Sequence, residues 1–243
     1  MTFDIKGIEP PLANALRRIL LSEIPTMAIE IVNIYQNTSI IPDEVLSHRI
    51  GLVPIFADAN EFHYKKDKED FNEFNAVYLK IHVKCEKLKS GEIINQEVNS
   101  GHIHWTPIGK QSTLFTGDHL IKVVHDDILL TKLRPGQEIE AELICVKGIG
   151  KTHAKWSPVS TAYYRLVPEI TITCDIFGED ALNLKKTCPT GVFDVEEVWG
   201  EKKAIVKNPR NCTTCRECIR APQFKEVIML EKVKDHFECI YLY

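Results

Sequence analysis

The sequence predicts an α+β fold in which a discontinuous domain is interrupted by a mainly β module. Three observations carry that expectation. Residues 10–24 show the apolar spacing of one amphipathic helix between prolines, and residues 77–85 and 139–145 alternate apolar with polar side chains as half-buried strands do. Strand-like apolar sequence then returns at 163–176 and at 225–243, on either side of a cysteine-rich stretch.

Taken in order, residues 3–8 alternate and read as a strand leading into the helix. Pro10 and Pro11 suit a first helical turn, where no amide donor is missed, and Pro25 cannot continue one, so the helix is expected over 10–24. Leu12, Ala13, Ala15, Leu16, Ile19, Leu20 and Ile24 sweep about half its circumference, wider than the stripe of about 100° that a single neighbour needs. Such a helix has two surfaces to cover. The strand-like run 28–35 supplies one, and a second chain is the candidate for the other, through Leu12, Ala15, Leu16, Ile19, Leu20 and Ile24. Arg17 and Arg18 lie opposite this arc, where solvated charge is the ordinary reading and docking on a larger partner through arginine's planar fork is the sharper one.

Within 42–51, Asp43 is placed to cap a short helix and Gly51 to close it. Residues 60–75, with the mixed-charge run 65–70, lack any period and read as an exposed loop. Val77, Leu79, Ile81, Val83 and Cys85 alternate with polar residues, as do Ile139, Ala141, Leu143 and Cys145, and Ser90-Gly91 and Pro135-Gly136 mark turns between the two strands. Residues 52–156 therefore read as an insertion. Pro168 limits 163–176 to a sheet edge, and 225–243 reads as two strands, one carrying Val227, Met229 and Val233 and the next Phe237, Cys239 and Tyr241.

Composition narrows the function classes. Apolar residues at 44% and charged residues at 26% are ordinary for a globular chain, so neither a fibrous nor a disordered class fits. A net charge of −4 gives no basic excess for direct nucleic-acid binding, and any contact with DNA is expected to be indirect. The first residues carry no basic-then-apolar leader pattern and no run of about 18 apolar residues occurs, so a soluble intracellular protein without a membrane partner is expected. Eight cysteines in that setting are thiols or metal ligands rather than disulfides.

Cys212-Thr213-Thr214-Cys215-Arg216-Glu217-Cys218 is the most chemical motif. Three thiolates at two-residue gaps form the first part of the bacterial ferredoxin run; the position of its next cysteine is taken by Pro222, and Cys188-Pro189 supplies a remote Cys-Pro pair. Cys188, Cys212, Cys215 and Cys218 are thus candidate ligands of one 4Fe-4S cluster. Zinc is the first rival, although its usual pattern is two separated Cys-x-x-Cys pairs, and unligated thiols are the second. Cys85, Cys145, Cys174 and Cys239 lie in strand-like runs and read as buried apolar residues.

Other signals carry less. Residues 146–152 end like a phosphate-binding loop, but Cys145 stands where its first glycine belongs. His102 and His104 share a face of a possible strand without a third ligand, and Asp126 and Asp127, being adjacent, would point to opposite faces. No nucleophile, base and orienter fall at supporting distances along the chain, so no catalytic residue is assigned.

Asn14-Ala15-Leu16-Arg17-Arg18-Ile19-Leu20-Leu21, Ile24-Pro25-Thr26-Met27-Ala28 and His48-Arg49-Ile50-Gly51-Leu52-Val53-Pro54-Ile55 closely resemble the α-like assembly subunits of cellular RNA polymerases. The runs 124–130, 133–139 and 146–159, with Cys188-Pro189-Thr190-Gly191-Val192-Phe193 and Asn208-Pro209-Arg210, are similar to the form shared by RNA polymerases I and III, and the likeness covers almost the whole chain. The resemblance implies a dimerisation domain in three pieces, 1–51, 157–178 and 225–243, with an inserted β-rich domain at 52–156 and a ferredoxin-like cysteine module at 179–224. It implies a non-catalytic scaffold that pairs with a smaller α-like subunit and nucleates binding of the large catalytic subunits, for transcription of rRNA, 5S rRNA and tRNA in the nucleus and nucleolus. Arg17 and Arg18 would then dock on a large subunit.

Relatives carry more chain before Met1 and continue past Tyr243 into a second pairing helix, so residues 1–243 alone are expected to dimerise weakly or not at all. The polymerase II form carries a zinc loop in its insert, which Cys85 alone cannot make. The equivalent α-like chain of archaeal RNA polymerase, which would be cytoplasmic, is the neighbouring alternative, and an independent iron-sulfur electron carrier is the alternative of another class.

Overall fold

The computed structural model describes every residue except Asp67, Ser90 and Tyr243, so Ser90 of the expected turn, Asp67 of the charged run and the terminal tyrosine lie outside the described residues. The principal elements are β1 (Thr2–Lys6), α1 (Pro10–Ser22), β2 (Pro25–Asn37), α2 (Asp43–Gly51), β3 (Ala76–Lys84), β4 (Ile103–Thr106), β5 (Glu138–Ile149), β6 (Thr161–Ile172), α3 (Gly178–Thr187), β7 (Phe193–Val198), β8 (Glu201–Val206) and β9 (Ile228–Leu242). Strands dominate this mixed α/β chain. It divides into two compact units, Arg18–Ser160 and Met1–Arg17 with Thr161–Leu242, the division falling inside α1.

The unit Arg18–Ser160 is built on an antiparallel sheet of order β2-β5-β3-β4. Central β5 pairs with β2 from Ile139↔Asn37 to Ile149↔Pro25 and with β3 from Glu138↔Lys84 to Val146↔Ala76. The alternation read from the sequence holds: Leu79, Ile81, Val83, Ile139, Ala141 and Leu143 are buried in one core, while Lys80 reaches Glu140 at 2.7 Å and His82 reaches Glu138 at 2.7 Å across the polar face. α2 adds Leu46 and Ile50 to that core. Its Arg49 donates to the carbonyls of Leu129 and Leu130 at 2.6 and 2.9 Å. β2 and α2, which the sequence division put with residues 1–51, are therefore partners of the inserted residues.

Two glycines of the run 146–152 are needed for packing rather than for phosphate. A Cβ on Gly148 would run into the Trp156 ring and one on Gly150 into the carbonyl of Leu21. The same junction is closed by the Lys151 amide donating to Ser22 at 2.9 Å and the Trp156 indole donating to Val146 at 3.1 Å.

Several local expectations are corrected. α1 ends at Ser22, not at residue 24: the Glu23 amide still reaches Ile19 at 2.9 Å, but Ile24 precedes proline, where the helical region is sterically disfavoured, and it leads into β2. Asp43 does not cap α2; Pro42 holds the cap position and the Asp43 carboxylate accepts from Asn37 at 2.7 Å instead, while still favouring the positive end of the helix. His102 belongs to a 3-10 turn and His104 to β4, so the two do not share a strand face. Cys85, Cys145 and Cys239 are buried as expected, but Cys174 is exposed, lying just past the end of β6.

In the other unit, β9 is the middle strand of an antiparallel sheet of order β1-β9-β6. The two strands expected in 225–243 are one. β9 runs on through a shift in its pairing with β6 between Leu166↔Phe237 and Pro168↔Lys232, where residues 233–236 bulge opposite Val167. Pro168 is on an edge strand, as its missing donor requires. Beyond β6, helix α3 packs on the β7–β8 hairpin through Ala181, Leu184, Phe193 and Ala204, joined by Phe224 and Ile228. No helix among the described residues is long and apolar enough to cross a membrane.

The Gly150→Ala protein is expected to lose about 1–3 kcal/mol, since Leu21's carbonyl is backbone and cannot swing aside. Chemical denaturation of the purified protein measures it; a wild-type midpoint would remove the packing role assigned to this glycine.

Candidate cysteine site and partner face

Cys188 directly follows α3, and the turn after it, with Gly191 at φ 66°, folds the Val192 amide back onto the Cys188 sulfur at 3.4 Å. The Thr190 hydroxyl lies 3.5 Å from the same sulfur. A 3-10 turn, Pro209–Asn211, delivers Cys212, whose sulfur accepts from the Thr214 amide at 3.4 Å. Thr214 and Arg216 adopt left-handed φ of 56° and 63°, which curls the loop and brings Cys218 into a second 3-10 turn, Glu217–Ile219. Cys188, Cys212, Cys215 and Cys218 all line one small cavity, walled otherwise mainly by Ile170, Val192, Phe193 and Leu230.

The sulfurs differ electrostatically. Burial pushes the Cys218 thiol up, and the neighbouring Cys212, Cys188 and Cys215 push it further. At Cys188 burial acts in the same upward sense but is outweighed by donors from Thr190, Val192 and Gly191, so its thiol titrates below the ordinary value. Four sulfurs around an apolar pocket, with backbone amides aimed at two of them, is a donor set that suits an iron-sulfur cluster. Among the described residues no three His, Cys, Asp or Glu side chains converge closely enough to hold one metal ion.

The loop before Cys212 is tied down by a charge network that periodicity could not reveal. Asp4 and Glu238 are directly opposed on β1 and β9, an unfavourable like-charge pair, and Arg165 faces Glu238 from β6. Arg165 donates to Glu238 at 2.6 Å and also to the Arg210 carbonyl at 2.7 Å. Arg210 in turn forks onto both oxygens of Asp4, and His236 stands 3.0 Å from the same carboxylate. The Arg210 guanidinium, then His236, hold the Asp4 carboxyl down to about 2. Within the cysteine module Lys185 and Lys207 similarly keep Asp194 well below the usual carboxylate range. The sequence carried one hint, the Asn208-Pro209-Arg210 motif, without indicating what the arginine would meet.

The predicted partner face remains largely uncovered. Leu12 is 60% and Ile19 42% exposed, Ala15 is exposed, and Leu16, Leu20 and Ile24 are half-buried; in α1 only Ala13 is buried. Arg17 turns back to Asn14, donating to its side-chain oxygen at 2.9 and 3.2 Å, and Arg18 is exposed.

A strand-rich scaffold, a helix with an uncovered apolar arc and a four-cysteine pocket occur together here. Residues 29–163 match the family model described as the RNA polymerase Rpb3/RpoA insert domain, and the chain belongs to this family of RNA polymerase subunits. Over 98% of its length it is 45% identical to the human protein named DNA-directed RNA polymerases I and III subunit RPAC1, covering 71% of that protein. It is 44% identical to the Dictyostelium discoideum protein of the same description, covering 98% of this chain and 68% of the relative. The archaeal RNA polymerase subunit Rpo3 of Methanosphaera stadtmanae is 34% identical, across 90% of this chain and 74% of its own length.

Asp4 has a folded value below its ordinary 3.8, so it contributes stability that is complete above about pH 4 and is lost as the pH falls towards 2. The Asp4→Asn protein is expected to show a shallower loss of thermal stability across that window. Melting curves at a series of acidic pH values test this, and an unchanged acid limb would count against the network.

Proposed function

We propose that this chain is a non-catalytic assembly subunit of RNA polymerases I and III. It pairs through α1 with a smaller α-like subunit, and the pair receives the large catalytic subunits. The observation that carries this reading is identity of 44–45% to the subunits named for polymerases I and III along nearly the whole chain, against 34% for the archaeal relative. The uncovered arc of α1 supports the pairing: Leu12, Ala15 and Ile19 stay exposed in this chain, and apolar side chains of that kind are what a partner would cover. Arg17 and Arg18 remain candidates for docking a large subunit. DNA is contacted only through the assembled enzyme, in keeping with the net charge of −4. The site of action is the nucleus, including the nucleolus.

The cysteine pocket is read as a ferredoxin-like module holding one 4Fe-4S cluster through Cys188, Cys212, Cys215 and Cys218. A bound cluster would supply cross-links between the end of α3 and the 212–218 loop, with one-electron capacity as a further property. The residues around it bind and shield: Val192 and Thr214 amides hydrogen-bond sulfur, and Phe193 and Leu230 exclude water. An independent electron carrier would need the same four cysteines but no partner.

Two experiments separate these readings. Co-expressed with the smaller α-like subunit, the wild-type protein is expected to co-purify, and Leu16→Asp with Ile19→Asp is expected to cut recovery of the pair at least tenfold without lowering the melting temperature of this chain. Equal recovery would defeat the assembly role. After anaerobic purification, iron and sulfide are expected in equal amounts with little zinc, and Cys215→Ala is expected to lose the iron; full retention of iron would defeat the ligand set.

A further inference from the structure

The β7–β8 hairpin ends in a turn whose two central residues, Trp199 and Gly200, both have positive φ, 57° and 84°. A two-residue hairpin turn of the primed type requires this, and Asn-Gly, Asp-Gly or Gly-Gly normally provide it. Tryptophan is poorly suited to the first position, because a bulky side chain with a Cβ is strained in the left-handed region. Its ring is also 100% exposed. One residue thus carries two independent penalties, backbone strain and full exposure of the largest apolar side chain. Such a violation of local preference points to a role outside the chain.

The charges around the ring say what that partner is. Glu196, Glu197 and Glu201 are exposed beside it. Lys203, cross-strand from Glu196, is already held by Asp175 at 2.7 Å and Lys207 by Asp194 at 2.5 Å, which leaves Lys202, cross-strand from Glu197, against three carboxylates. An acidic collar repels phosphate backbones, so stacking on nucleic acid, the other common use of an exposed tryptophan, is disfavoured. It favours a protein pocket with an apolar floor and a rim of lysine or arginine, the setting in which a tryptophan anchor contributes most.

We propose that the Val198–Glu201 turn is a docking knob, with Trp199 inserted into a basic-rimmed apolar pocket on another subunit of the polymerase. The proposal rests on the assembly reading above, and its test is arranged so that the two fail separately.

The assembled polymerase, containing full-length versions of this chain, is purified through a tag on a catalytic subunit, so that presence of this chain reports assembly independently. Hydroxyl-radical footprinting then compares oxidation of Trp199 in the free chain and in the enzyme. At least tenfold slower oxidation in the enzyme is expected, without added nucleic acid. The Trp199→Asn variant suits the turn better, so its melting temperature is expected to equal or exceed that of wild type while its incorporation at matched expression falls at least threefold. Changing Glu196, Glu197 and Glu201 to Gln is expected to reduce incorporation in the same direction. Equal oxidation in the enzyme and the free chain overturns the proposal, as does protection that needs DNA or RNA, or protection already present in the free chain through self-association. A melting temperature lowered by Trp199→Asn would instead assign the ring to the fold and equally overturn it.

Discussion

The antiparallel pairing of β2 with β5 is the constraint on which the unit Arg18–Ser160 depends. It joins Pro25–Asn37 to Glu138–Ile149 across about a hundred residues of intervening chain, so the loop-closure cost of the insertion is borne by this ladder. Once it forms, β3 and β4 have an edge to add to, and α2 has a face on which to bury Leu46 and Ile50. The same pairing brings Gly150 under the last turn of α1, where the absence of a side chain lets two backbones approach. The end of α1 is in this way set by a strand far along the sequence.

The sheet β1-β9-β6 faces a different problem. Its register opposes Asp4 to Glu238, and two carboxylates at that separation are tolerated only with cations between them. Arg165 and Arg210 supply these, and because Arg210 lies two residues before Cys212, the compensation of a sheet defect also positions the cysteine loop. Fold and candidate site share one set of side chains, which explains why the loop can hold left-handed residues at Thr214 and Arg216 without regular structure around them.

Two apolar features remain on the outside, and they differ in kind. The arc of α1 follows from ordinary helical periodicity and leaves Leu12 and Ile19 exposed. Trp199 breaks the preference of its own turn. The first is a stripe that its own helix periodicity accounts for; the second is a single exposed ring at a strained turn position.

Much of the fold was legible in the residues because amphipathic periodicity is a local property. The strands at 76–84 and 138–149, the start of α1, the edge position of Pro168 and the grouping of Cys188 with the 212–218 motif could all be read from spacing. Boundaries failed where apolar spacing was followed past the restriction that Pro25 places on Ile24, and where the Asp43 side chain turned to Asn37 instead of capping. The merging of the last two strands, the role of Gly148 and Gly150, the meeting of Asp4 with Arg210 and the strain at Trp199 were decided by tertiary structure alone. Each depends on register or close approach between segments distant in the chain, or on a backbone angle that the hairpin imposes, and no window of sequence contains those quantities.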